Sequence, residues 1–175
     1  MIIWITGISG AGKTTIAKRL YSKVKKRTNN IIYFDGDLFR EIFKNDIGYT
    51  LKDRDLNALR MTRLLKYIND SKVSVICGAN ITSQKFRNWN RNNIKNYYEV
   101  FIDVPFDVLL KRDYKNLYKK ALNGKIKNVV GVDIPYIKPK KPDLIVDNSR
   151  SKENISKIVD LIIQKSKIYK KLNII

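Results

Sequence analysis

Ile2-Ile3-Trp4-Ile5-Thr6-Gly7-Ile8-Ser9-Gly10-Ala11-Gly12-Lys13-Thr14-Thr15 is the stretch on which the fold turns. Ile2–Thr6 is an apolar run of strand length. Gly7–Thr14 matches G-x-x-x-x-G-K-[ST] in full, and helical spacing takes over across Thr14–Lys26. A phosphate-binding loop requires that setting, with a strand before it and a helix after it. Its three glycines let the backbone wrap closely around phosphate with N–H groups pointing inward. The helix N-terminus adds partial positive charge. Gly7, Ser9, Gly10, Ala11, Gly12, Lys13, Thr14 and Thr15 are the expected nucleotide contacts. Lys13 would hold the β- and γ-phosphate oxygens, and the Thr14 hydroxyl would ligate Mg²⁺. The plainer alternative, a glycine-rich turn without ligand, fits poorly with a motif and a context that are both intact. ATP or GTP binding follows.

Outward from this loop, apolar runs of strand length recur at Ile31–Asp35, Val73–Cys77, Tyr98–Asp103 and Leu144–Asp147. Helical spacing lies between them at Arg54–Asn69, Ser83–Asn93 and Phe106–Lys111. Ile155, Ile158, Val159, Ile162 and Ile163 predict a last helix, with Ser149 or Ser151 at its start. Strands apolar on both faces and alternating with helices imply a five-stranded, mainly parallel sheet inside an α/β/α sandwich. Ligands of such folds gather at the carboxyl ends of the strands. With 175 residues, 43% of them hydrophobic, and no linker or repeat, a single domain over 1–175 is expected.

No run approaches the roughly 18 apolar residues of a membrane helix. The apolar N-terminus lacks a basic leader, so it reads as a core strand rather than a signal peptide. The single cysteine, Cys77, rules out an internal disulfide and reads as a buried thiol. These features fit the cytoplasm. The formal charge of +20, from 36 Lys and Arg against 16 Asp and Glu, would attract polyanions. The basic residues are scattered and form no recognisable nucleic-acid module, so a dedicated nucleic-acid partner is not expected. A guanine-reading N-K-x-D segment is absent and the chain is short for a motor ATPase, which leaves a small-molecule kinase.

The acceptor side begins at Asp35-Gly36-Asp37-Leu38-Phe39-Arg40. Two carboxylates flanking a glycine just past a strand can approach metal and acceptor hydroxyl together. One could accept the hydroxyl proton while the other orients metal-bound water. An Asp-Gly turn is the plainer reading.

At this point the chain resembles the adenylylsulfate (APS) kinases. The resemblance rests on Gly7–Thr14, Asp35–Arg40, Gly48-Tyr49-Thr50, Asp53-Arg54-Asp55-Leu56-Asn57, Arg112–Tyr118 and Gly131-Val132-Asp133-Ile134-Pro135-Tyr136, in order as far as Asp147. It implies a P-loop kinase fold, with ATP and Mg²⁺ as cofactors and transfer of the γ-phosphoryl group to the 3′-hydroxyl of a 5′-nucleotide. Asp37 would be the base, with Lys13 on the phosphates. Asp35 would support the base and, through water, the metal. Arg40, Arg54 and Asn57 would grip the acceptor, Tyr49 and Val129 would flank its base, and Ile81 and Thr82 would line its site. The segment from about 112 to 141 would be a lid, with Arg112 on the ATP side and Lys115 toward the acceptor. Homodimers are common in the family.

Three departures bear on the acceptor. Val129 stands where the family usually places Phe, which removes a stacking contact worth about 1 kcal/mol. Ile81-Thr82-Ser83-Gln84-Lys85 replaces I-S-P-Y-R, and lysine is not equivalent to arginine at an anion site. Asn116 replaces a lid glycine, and Ile137 an acidic residue. The phosphate loop and Asp35–Asp37 are untouched. A relative of this kind phosphorylates cytidine 5′-diphosphoramidate during capsule decoration, and the departures favour such a sister substrate over APS.

Overall fold

The computed structural model describes residues 1–113, 115–149 and 154–173. Five strands, β1 (Ile2–Thr6), β2 (Ile31–Asp35), β3 (Ser74–Gly78), β4 (Tyr97–Asp103) and β5 (Leu144–Asp147), form one sheet in the order β2-β3-β1-β4-β5. Every pairing is parallel. Central β1 is buried along its whole length, and its residues alternate between two cores. Ile3 and Ile5 face one of them with Ile16, Leu20, Ile102 and Ile162. Ile2 and Trp4 face the other with Met61, Leu65, Val75 and Cys77. Side chains of period two, apolar at every step, are what a strand sandwiched between helical layers requires.

The helices are α1 (Lys13–Lys25), α2 (Gly36–Ile42), α3 (Leu51–Asp70), α4 (Gln84–Asn93), α5 (Phe106–Arg112), α6 (Leu117–Leu122), α7 (Asn154–Ser166) and α8 (Ile168–Lys171). Helices α1 and α7 pack on the first face, and α3 and α4 on the second. The anticipated strands recur within a residue or two. Helices α2, α6 and α8 were not anticipated, being short and without a full apolar period. Ser149, one of the two expected caps, donates its N–H to the Asp147 carboxylate at 2.7 Å. The alternative cap Ser151, and Arg150 beside it, lie outside the described residues.

Helix α3 starts three residues earlier than the apolar spacing implies. Thr50 and Asp53 form a reciprocal capping box, with each side chain accepting from the other's backbone N–H at 3.2 Å. Arg54 and Asn57 thereby sit in the first two turns of a firmly started helix. Across the sheet, the Trp4 indole N–H donates to the Ala79 carbonyl at 2.9 Å, fixing the chain as it leaves β3. Trp4→Phe keeps the packing but orphans that buried carbonyl. The variant should lose about 1–3 kcal/mol of unfolding free energy in denaturant titration.

Candidate active site

The parallel register carries the glycine loop, the Asp35–Asp37 turn and the chain after Gly78 to the same edge of the sheet. Gly12 takes φ +96°, and a Cβ there would sit 2.5 Å from the Asn148 side-chain nitrogen. Only glycine meets both demands. That buried Asn148 amide donates to the Ala11 carbonyl at 2.9 Å, while the Tyr118 hydroxyl donates to the Ser9 carbonyl at 2.8 Å. The loop is thus held from β5 on one side and from α6 on the other. Gly7 closes onto β4, and Ser9, Gly10, Thr14 and Thr15 remain exposed.

Lys13 folds back over the loop, its Nζ donating to the Ile8 carbonyl at 2.8 Å. The residue is half-buried, and desolvation of its ammonium lowers the pKa to about 8, against the pull of the Asp37 carboxylate. Asp37 is therefore near enough for its charge to be felt at Lys13. The two aspartates differ sharply. Asp35 is buried and caps α2: one oxygen accepts the Leu38 N–H at 2.8 Å and the other accepts the Tyr33 hydroxyl. Asp37, in the first turn of α2, is exposed. Of the pair, Asp37 has its carboxylate free toward the cleft.

A second cluster faces this one. The guanidinium of Arg40 lies 4.2 Å from the Tyr49 ring centroid, and that of Arg54 lies 5.5 Å from it. Arg40 donates to the Ile47 carbonyl at 3.0 Å. Arg54 donates to the Tyr49 carbonyl through Nε at 2.9 Å and to the Asn128 carbonyl through Nη2 at 2.7 Å. Burial lowers the Arg54 pKa, and the neighbouring Arg40 cation lowers it further. Two crowded guanidinium groups stacked on one phenol ring make a site that an anion relieves. Asn57 lies one turn beyond Arg54, its amide 3.8 Å from the Met61 sulfur. Ile81 and Thr82, past β3, are buried, as is Val129, next to the carbonyl that Arg54 holds. Arg112 turns to the strand end, donating to the Asn148 and Ser149 carbonyls at 2.7 and 3.0 Å. Lys115 stands exposed between α5 and α6. A cavity of about 780 Å³ is lined by Ile8 of the phosphate loop, by Gly131 and Asp133, and by Phe101, Phe106 and Tyr136.

Residues 1–147 match the family described as adenylylsulphate kinase. The chain belongs to the adenylylsulphate kinase family. It is 43% identical over 164 residues to the cytidine diphosphoramidate kinase of Campylobacter jejuni subsp. jejuni serotype O:2, covering 94% of this chain and 95% of that protein. It is 34% identical over 168 residues to the adenylyl-sulfate kinase of Halothermothrix orenii, covering 95% and 91%. Among solved structures it is similar to the Mycobacterium tuberculosis APS kinase CysC in complex with AMPPNP and APS. There the TM-score is 0.80 and the identity 32%, with 92% of this chain and 96% of that one covered. The α/β kinase fold and the phosphotransferase class follow.

Within this family framework, sequence reading passed over Asn148 and Tyr118 as supports of the phosphate loop. Tyr118 stood in a quoted motif without a role, and nothing near Asn148 in sequence marks it. Among the described residues no helix is long and apolar enough to cross a membrane. Asn148→Ala should leave the Ala11 carbonyl without its donor and open space behind Gly12. The KM for ATP should rise by about tenfold, the scale of a lost hydrogen bond at a binding site, in steady-state titration.

Proposed function

We propose that this kinase transfers the γ-phosphoryl group of ATP to the ribose 3′-hydroxyl of a 5′-nucleotide, with cytidine 5′-diphosphoramidate the favoured acceptor. The observation that carries the reading is the Arg40–Tyr49–Arg54 cluster in the same fold edge as Lys13 and Asp37. One end of the cleft suits a triphosphate, and the other suits an acceptor with an anionic 5′-group and a ring to stack. The exposed Asp37 carboxylate would take the proton of the attacking hydroxyl, while Asp35, spent on Tyr33 and Leu38, would keep α2 and Asp37 in place. Lys13 and the loop amides would hold the phosphates as charge moves between them.

Among the described residues no group of three or more Asp, Glu, Cys or His converges as a metal nest. Mg²⁺ is usually held largely by substrate phosphates with one or two protein oxygens, and the exposed Thr14 hydroxyl at the start of α1 fits that role. When bound, Mg²⁺ would neutralise the β- and γ-oxygens.

Two observations favour the cytidine acceptor. Val129 is small where the family's Phe would stack on adenine, and the 43% identical relative is a cytidine diphosphoramidate kinase. APS remains the second reading, supported by the adenylyl-sulfate kinases among the relatives. ADP release with each nucleotide decides between them: cytidine 5′-diphosphoramidate should give the higher kcat/KM. Stimulation by neither would end the kinase assignment on this acceptor class. Asp37→Asn should retain ATP binding and lower kcat by about 10² or more, the scale of a positioned base. Val129→Phe should shift the kcat/KM ratio toward APS, and an unmoved ratio would remove Val129 from acceptor choice.

A further inference from the structure

Arg87, on α4, is 1% exposed, and its charge takes no part in the site described above. Its guanidinium donates to two carbonyls that are distant in sequence. Nη2 reaches Ile81, in the turn between β3 and α4, and Nη1 reaches Ile137 at 2.9 Å, just after the Pro135-Tyr136 pair of the lid. Nε faces the buried Glu99 carboxylate of β4 at 3.9 Å. One turn further along α4, Arg91 donates to the Lys141 carbonyl at 2.9 Å and pairs with both oxygens of Asp143, at 3.1 and 2.9 Å. Gln84, one turn earlier, accepts the Lys140 N–H at 3.4 Å. Residues 84, 87 and 91 share a helix face, so α4 presents a rail to which the returning lid segment is fastened. Arg87 alone also reaches back to the acceptor loop.

A buried ion pair is a poor stabiliser, because desolvating both charges offsets most of their attraction. The arrangement has a different effect: it fixes distance. In the proposed site Ile81 and Thr82 form one wall of the acceptor cleft. The lid backbone that carries Val129, tied by Arg54 at Asn128, forms another. A planar fork with diverging N–H groups sets both walls from a single rigid group, which the point charge of a lysine cannot reproduce.

We propose that Arg87 is a positioning residue that holds the Ile81–Thr82 loop and the foot of the lid at one fixed separation, and so sets the width of the acceptor cleft. The inference rests on the reading of Ile81 and Thr82 as an acceptor wall. It adds a residue that touches no substrate to the determinants of acceptor affinity.

Arg87→Met would leave the buried Glu99 carboxylate to Arg91 alone, at 3.6 Å, and risks unfolding. Arg87→Lys therefore carries the test, because it keeps the charge and loses the fork. Arg91→Met is the comparison, since it releases the lid segment at Lys141 and Asp143 and removes the second cation beside Glu99, at 3.6 Å, without touching Ile81. Two measurements on full-length protein decide the matter. In amide hydrogen exchange without substrates, Arg87→Lys should quicken exchange at 79–83 and at 136–138 together, and Arg91→Met at 139–143 but not at 79–83. In steady-state kinetics with cytidine 5′-diphosphoramidate or APS, whichever the wild type uses, Arg87→Lys should raise the acceptor KM by about tenfold, within the penalty range for a small misplacement. It should leave the ATP KM within about twofold, and Arg91→Met should leave both KM values within about twofold, the scatter of uncoupled positions. Unchanged exchange at 79–83, or acceptor and ATP KM rising in step, would overturn the proposal. A wild type that turns over neither nucleotide would instead sink the acceptor assignment, while the exchange result would still judge the tie.

Discussion

The parallel pairing of β1 with β3, Ile2 against Val75 through Ile5 against Gly78, is the constraint on which the other arrangements depend. Parallel strands end at the same edge, so the glycine loop after β1 and the Ile81–Thr82 turn after β3 emerge side by side. Pairing of β2 on β3, with Asp35 against Gly78, brings the aspartate turn to the same line. Slipping β1 by one residue would turn Ile3 and Ile5 away from the first core and exchange them with Ile2 and Trp4. Burial on both faces would still be apolar, but the indole would lose its carbonyl and the loop would leave the sheet at a different height. The chemistry is therefore aligned by strand register before any side chain acts.

On this edge the polar groups divide into those that the proposed mechanism sets against ligand and those that hold the former in place. Asp35 buries its carboxylate as a helix cap and leaves Asp37 open. Thr50 and Asp53 cap α3 so that Arg54 leaves its first turn toward Tyr49. Asn148 and Tyr118 brace the phosphate loop through its carbonyls, leaving the exposed side of the loop to phosphate. At Asp35 and at Asn148 and Tyr118 a buried residue supplies geometry beside an open group, and at Thr50 and Asp53 an exposed cap does the same, which is how a site is kept in shape without spending its reactive groups.

What could be read in advance divides along the same line. The five strands were legible because each is a continuous apolar run, and the phosphate loop because its glycines and Lys13 obey a spacing set by phosphate itself. Asp37, Arg40, Tyr49 and Arg54 were legible as a set only through family resemblance, since no periodicity marks them. Helix α2 was hidden because Asp35-Gly36-Asp37 has the composition of a turn, and its N-cap hydrogen bond is visible only in three dimensions. The start of α3 was legible in principle from Thr50-Leu51-Lys52-Asp53, but the exposed Leu51 broke the apolar pattern. Asn148 and Arg87 were out of reach. Their partners, Ala11, Ile81 and Ile137, are backbone carbonyls, which every residue has and no sequence advertises.

The bond from Lys13 to the carbonyl of Ile8 has a consequence for how nucleotide enters. A lysine on a flexible four-carbon stem ordinarily loses rotamer freedom when an anion captures it, a loss charged against affinity. Here the stem is already laid along the loop and its ammonium already has an oxygen partner. In the proposed binding mode an arriving phosphate would exchange one oxygen for another across a short swing, so the torsional ordering would be completed when the chain folds rather than when ATP docks.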